Sequence, residues 1–127
     1  MLKRAIYPNP AQKPRGYSPA VRAGNLVYVS GQLALDANDK LVGVGDCRAQ
    51  ARQCFKNMEA VLQAGGVSMS AVVKITAFLT KLEDFPLYAE VRGQVFTQDG
   101  PASSTVVVTA LAVQGCLVEV EAVAVAA

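Results

Sequence analysis

The residues best suited to do chemistry in this chain stand near its end. Glu119 and Glu121 lie two apart in the run Leu117-Val-Glu-Val-Glu-Ala-Val-Ala124, and Ser103 and Thr105 lie two apart just upstream. A period of two puts residues at i and i+2 on one face of a strand, so both carboxylates share a face and Val118, Val120, Ala122 and Ala124 form the opposite, apolar one. Two readings follow. The glutamates are a solvated strand face, as charges on a half-buried strand usually are. Alternatively, one of them lines a cleft beside Ser103 and Thr105 and, desolvated, acts as a general base on water. The chain has no histidine, which removes the commonest general base and the commonest zinc ligand. Chemistry therefore falls to Glu, Asp, Tyr, Ser, Thr, Arg or backbone groups.

These residues need elements to hold them. The stretch Pro101 to Ala124 is expected to be two strands joined at Gln114-Gly115, the first running over Ser104 to Val113. Upstream, Gly24-Asn25 separates two β-like runs, a two-residue hairpin signal, and the second run, Leu26 to Ser30, is expected to end at Ser30-Gly31-Gln32. Gly31 either marks a plain strand end or lets the backbone approach something closely. Met1 to Pro19 holds four of the six prolines and is expected to be irregular, after a short strand at Arg4 to Tyr7. Asp36 to Gly45 is a polar, glycine-containing loop with a short strand at Leu41-Val42. Asp46 then caps a helix whose stripe is Ala51, Cys54, Phe55, Met58, Val61 and Leu62, with Arg48, Arg52, Lys56 and Glu59 opposite and Gly65-Gly66 at its end. Val72 to Leu79 is a strand. Phe85-Pro86 opens a second helix with Tyr88, Val91 and Val95 on its stripe.

Strands, helix, strand, helix and two strands make an α+β two-layer domain over residues 1–127, a mixed sheet with two helices on one face. Hydrophobic residues are 52% and charged residues 17% of the 127. So apolar a composition, with a penultimate strand apolar on both parities, asks for cover from another subunit. The net charge is +2, without a Lys/Arg run and without Trp, so no nucleic-acid partner is expected. No apolar run reaches membrane length and the start lacks a signal-like apolar stretch, so a cytoplasmic protein is expected. The three cysteines, an odd number without a CxxC, are expected as reduced thiols, with Cys54 filling core.

Gly16-Tyr17-Ser18-Pro19-Ala20, Val29-Ser30-Gly31-Gln32, Ala49-Gln50-Ala51, Val73-Lys74-Ile75-Thr76, Pro101-Ala102-Ser103-Ser104 and Val118-Glu119-Val120-Glu121-Ala122 resemble the RidA (YjgF-type) family, in order and over nearly the whole chain. That resemblance implies a chorismate-mutase-like fold, a homotrimer with a central barrel, and a cleft between each pair of subunits. It implies cofactor-free hydrolysis of enamines and imines such as 2-aminoacrylate, or of an aminomuconate-type intermediate. It implies catalysis by Glu119 and substrate binding at Tyr17 and Ser30; Thr105, where the family has Cys, is expected to assist, and Gly31, Ser103, Phe85 and Tyr88 are expected to line the substrate. One departure is plain. Where active deaminases of the family carry an Arg that forks onto a substrate carboxylate, this chain has Ser103. Arg15 or Arg92 either replaces that cation or is an ordinary surface arginine. The alternative function is a non-catalytic trimer that binds a small molecule or a partner in the same cleft.

Overall fold

A computed structural model describes residues 2–126. The elements are β1 (Lys3–Ile6), β2 (Ala20–Ala23), β3 (Leu26–Leu33), α1 (Cys47–Ala64), β4 (Val72–Leu79), α2 (Phe85–Val95), β5 (Ala102–Val107) and β6 (Val118–Val125). They form one six-stranded sheet in the order β1-β2-β3-β6-β4-β5. All neighbouring pairs are antiparallel except β4 and β5, which are parallel.

Strand parity decides what faces the helices. Val27 and Val29 of β3, Ile75, Ala77 and Leu79 of β4, and Val118, Val120, Ala122 and Ala124 of β6 are all buried. The stripe of α1 (Ala51, Cys54, Phe55, Met58, Val61 and Leu62) buries against them. Asp46 starts this helix by accepting the Ala49 N–H at 3.1 Å, which satisfies one of the first-turn donors that has no helical partner. The second helix packs beside the first. Phe55 stacks on Tyr88 with ring centroids 6.1 Å apart and meets Phe96 edge-on at 5.7 Å. The other sheet face, bearing Tyr28, Phe78, Val106, Glu119 and Glu121, has no helix over it, and Tyr28 is 49% and Val106 44% exposed.

Four expectations about strands are corrected. The last two strands are not a hairpin: β5 and β6 lie on opposite sides of β4, and the strand expected over Ser104 to Val113 stops at Val107. The physical reason is burial. Every second residue of β6 is almost fully buried, and that demands a central position. The Ser/Thr-bearing β5 tolerates an edge, where all of it but Thr105 is exposed. A strand, helix and strand in succession also return parallel, as β4, α2 and β5 do. Likewise β3 does not end at Ser30. It continues to Leu33 through an irregularity between Val29 and Gln32, a bulge that lets it bend without terminating. The first strand sits one residue earlier than expected. The Gly24-Asn25 hairpin is present, with Gly24 at φ +62°, a conformation that costs glycine nothing.

Gln50, a fully buried amide side chain, steers the chain into β6. Its Nε2 donates to Gly43 O at 3.1 Å and Gly115 O at 3.0 Å, and its Oε1 accepts the Leu117 N–H at 2.8 Å. Gln50→Leu removes all three bonds at once. Each orphaned group costs about 1–3 kcal/mol if it stays dry. Gly43 and Gly115 belong to surface turns that can open to water, so the expected loss is about 2 kcal/mol. Denaturant unfolding checks it as a lower midpoint at unchanged slope.

Candidate functional site

The bulge in β3 is where the site residues begin to gather. Asn57 of α1 donates to Leu33 O at 3.0 Å and Leu35 O at 2.8 Å, which pins the end of β3 to the helix. Ser30 ties the bulge to the N-terminal arm: its Oγ donates to Ser18 O at 2.6 Å and its N–H to Pro19 O at 2.9 Å. Gln32 Nε2 donates to Ser30 O at 3.0 Å. Tyr17, next to Ser18, is thereby placed at the mouth of a cavity of about 410 Å3, lined also by Ser30, Gly31, Gln32, Asn9 and Asn57, and its ring is 62% exposed. Ser30 is thus first a positioning residue, its O–H committed to backbone.

Glu119 lies across Gly31 from this cavity, on the helix-free face, in register with Leu33 and Phe78. A methyl group on Gly31 would stand 2.7 Å from Glu119 Cδ and 2.8 Å from Oε2. Gly31 is therefore glycine because the carboxylate rests on its backbone, the close-approach reading of the sequence. Glu119 is half-buried, and among the described residues no side chain pairs with it; the one ion pair is Arg48–Glu90 at 2.8 Å. Desolvation, with the neighbouring Glu121 carboxylate adding to it, raises the Glu119 pKa above the ordinary carboxylate value.

A raised folded-state pKa means that the fold prefers the protonated acid. The stability tied to this group is present at low pH and is lost as pH rises through the raised value. Ionised Glu119 is thus a strained base, ready to take a proton. If it is the base, kcat/KM falls on the acid side at a pH above the ordinary glutamate value. Glu121→Gln removes the exposed like charge, so the acid limb moves to lower pH; a pH–rate profile of the two proteins checks this.

The remaining expected residues sit elsewhere. Ser103, Thr105 and Phe85 line a second cavity, of about 350 Å3, with Leu79, Leu82, Arg92 and Val107. Ser103 and Thr105 are in register with Ile75 and Ala77, so they face the helix side, whereas Glu119 faces away from it. In the sheet order β3-β6-β4-β5, Glu119 on β6 and Ser103 on β5 are two strand spacings apart, about 10 Å. On opposite faces and that far apart, Glu119 and Ser103 do not meet within a single chain, so the reading that set Glu119 in a cleft beside Ser103 and Thr105 does not hold within one subunit. Tyr88 is corrected too: it is fully buried, does not line the cavity, and its hydroxyl has no hydrogen-bond partner. Burial pushes its pKa to about 12, with Arg92 acting in the opposite sense.

Of the two arginines weighed as replacements, Arg92 is the one at this cavity. Its Nη1 donates to Ser103 Oγ at 3.3 Å, and its guanidinium lies over the Phe85 ring at 5.9 Å and the Tyr88 ring at 5.5 Å. Arg15 is exposed on the N-terminal arm and lines neither cavity. The apolar walls Leu79, Leu82 and Val107 were not foreseen, although the parity of β4 and β5 puts Leu79 and Val107 side by side. Cys54 is core, as expected, and burial raises its thiol pKa; Cys47 rises to about 11 for the same reason. Among the described residues no helix is long and apolar enough to cross a membrane, and no three His, Cys, Asp or Glu are grouped for a metal.

Residues 9–126 match the family model described as Endoribonuclease L-PSP. The chain is 44% identical over 128 residues to Protein DfrA of Myxococcus xanthus, with 98% of this chain and 97% of that protein covered. It is 40% identical over 124 residues to the 2-iminobutanoate/2-iminopropanoate deaminase of Dermatophagoides farinae, covering 97% and 96%. Among solved structures, the YjgF gene product of E. coli superposes with a TM-score of 0.85 at 32% identity, covering 96% of this chain and 98% of that one.

Proposed function

Because this chain belongs to the endoribonuclease L-PSP family, the RidA/YjgF family of the resemblance, we propose that it is a hydrolytic deaminase of small enamines and imines. The observation that carries this reading is Glu119: a half-buried carboxylate of raised pKa, free of any ion pair among the described residues, resting on Gly31 beside a cavity of mixed polar and apolar lining. The chemistry is short. Glu119 takes a proton from water as the water oxygen bonds to the imine carbon. The same proton passes to the nitrogen and gives a carbinolamine; the hydroxyl proton then passes through Glu119 to the amine, the C–N bond breaks, ammonia leaves and the carbonyl forms. An enamine enters this sequence after tautomerising to the imine. The imine carbon is already electrophilic, so positioning supplies much of what is needed.

The site is assembled, on this proposal, in a cytoplasmic homotrimer that needs no cofactor. Glu119 and the Tyr17–Ser30–Gly31 side come from one subunit, and the cavity of Ser103, Thr105 and Phe85 from its neighbour. Three observations favour sharing: Glu119 lies on the sheet face opposite Ser103 and Thr105, β5 is an open edge, and Tyr28 and Val106 are exposed on the helix-free face. One observation favours the second reading, a non-catalytic binding trimer: position 103 is Ser, which cannot grip a carboxylate as an arginine does.

The test is release of ammonia and keto acid, in equal amounts, from imino acids generated in place by a PLP-dependent lyase or an amino-acid oxidase. Release faster than the buffer background supports the deaminase. Background rates for every imino acid, from a folded protein of trimer mass, support the binding trimer.

A further inference from the structure

We infer that Arg92 is the anion receptor of the second cavity and that it selects a monocarboxylate with an apolar body. The inference rests on the proposed function only in taking this cavity as part of the substrate site. Four observations carry it. Among the described residues Arg92 has no acidic partner: the one ion pair joins Arg48 to Glu90. The guanidinium is held in place by Phe85 and Tyr88, over whose rings it lies at 5.9 Å and 5.5 Å, so little freedom remains to be lost when a ligand arrives. Its Nη1 donates to Ser103 Oγ at 3.3 Å. A guanidinium has five N–H donors in a planar fork, so enough remain for a two-point grip on a carboxylate. Ser103 accepts from Arg92 and keeps its own proton to offer the same anion. Lastly, the walls are Leu79, Leu82, Phe85 and Val107, and the space is about 350 Å3. That is room for a branched or aromatic side chain beyond the carboxylate.

The cation therefore reaches the cavity from α2 rather than from β5. A cation at Ser103 as well would face Arg92 at hydrogen-bonding distance, and like charges that close repel. The polar Ser103 is compatible with Arg92 where an arginine is not, and the ligand's carboxylate is drawn toward α2, leaving the apolar wall to its side chain.

Calorimetric titration tests this without any turnover. The probes are 4-methyl-2-oxopentanoate and its neutral methyl ester, against the native protein, Arg92→Gln, and the double variant carrying Arg92→Gln with Ser103→Arg. The native protein is expected to bind the acid at least about tenfold more tightly than the ester. Arg92→Gln is expected to weaken the acid about tenfold and leave the ester within about twofold. Returning a cation at position 103 is expected to restore acid binding. Equal binding of acid and ester by the native protein, binding of neither, or undiminished acid binding by Arg92→Gln overturns the assignment. Acid binding through Arg92 alongside background imine hydrolysis would refute the deaminase and leave the receptor standing.

Discussion

Glu119→Gln is expected to lower kcat/KM for imine hydrolysis by about 10²–10⁴-fold, the usual contribution of a positioned general base, while making the protein more stable above the ordinary carboxylate pKa. Both effects come from one fact. Burial and Glu121 raise the Glu119 pKa, so above that raised value the fold holds an ionised group that it would rather see protonated. The amide keeps the shape and removes the charge. Stability gained and activity lost together are what a strained functional group gives. A merely structural carboxylate would give the opposite sign for stability, and thermal unfolding beside a turnover assay separates the two. As pH falls below the carboxylate range the native protein protonates Glu119 too, so the stability difference is expected to vanish there.

Gly31→Ala is the second large effect, expected at about a hundredfold in kcat. The added methyl would stand 2.7 Å from Glu119 Cδ, closer than real side chains approach, and the atoms in its way are the end of a flexible side chain. The carboxylate swings aside at little cost to the fold, so stability is expected to change by less than about 1 kcal/mol. The swing displaces the base by roughly an ångström, and misplacement of that size costs about a hundredfold in rate. The double variant distinguishes this from a local folding defect. With Glu119→Gln already present there is no base to displace, so Gly31→Ala is expected to add little further loss.

Local features were the legible ones. Strand parity in Val118 to Ala124 named the buried face of β6 residue by residue, Asp46 announced the start of α1, and Gly24-Asn25 announced a hairpin, because each depends on neighbours in sequence. Strand order depends on the whole sheet, and there local reading failed. Gln114-Gly115 is a turn with positive φ at Gly115, yet the strands around it part to either side of β4. The strand–helix–strand succession from Val72 to Val107 is the signal for a parallel β5, and that connection outweighs the turn. Within one chain Glu119 faces the opposite way from Ser103 and Thr105, so strand order also decides between the two readings of the glutamate face there. Tyr88 shows a conflict that was visible in the sequence. It stood on the apolar stripe of α2, and its burial follows from that stripe rather than from a ligand. Arg92 is four residues on from Tyr88, so it shares a helix face with it, but only the fold shows that this face looks onto Ser103.

The central claim is that Glu119 of one subunit serves the Ser103–Thr105 cavity of another. Its most direct test mixes two inactive variants, Glu119→Gln and Thr105→Trp, the second filling that cavity. The pair is unfolded together, refolded, and assayed for ammonia release. If each site takes one half from each of two subunits, random assembly leaves about a quarter of the sites with both halves intact, and about a quarter of native activity is expected to return. If the site lies within one chain, every chain carries a lesion, and a mixture as inactive as its components would contradict the account.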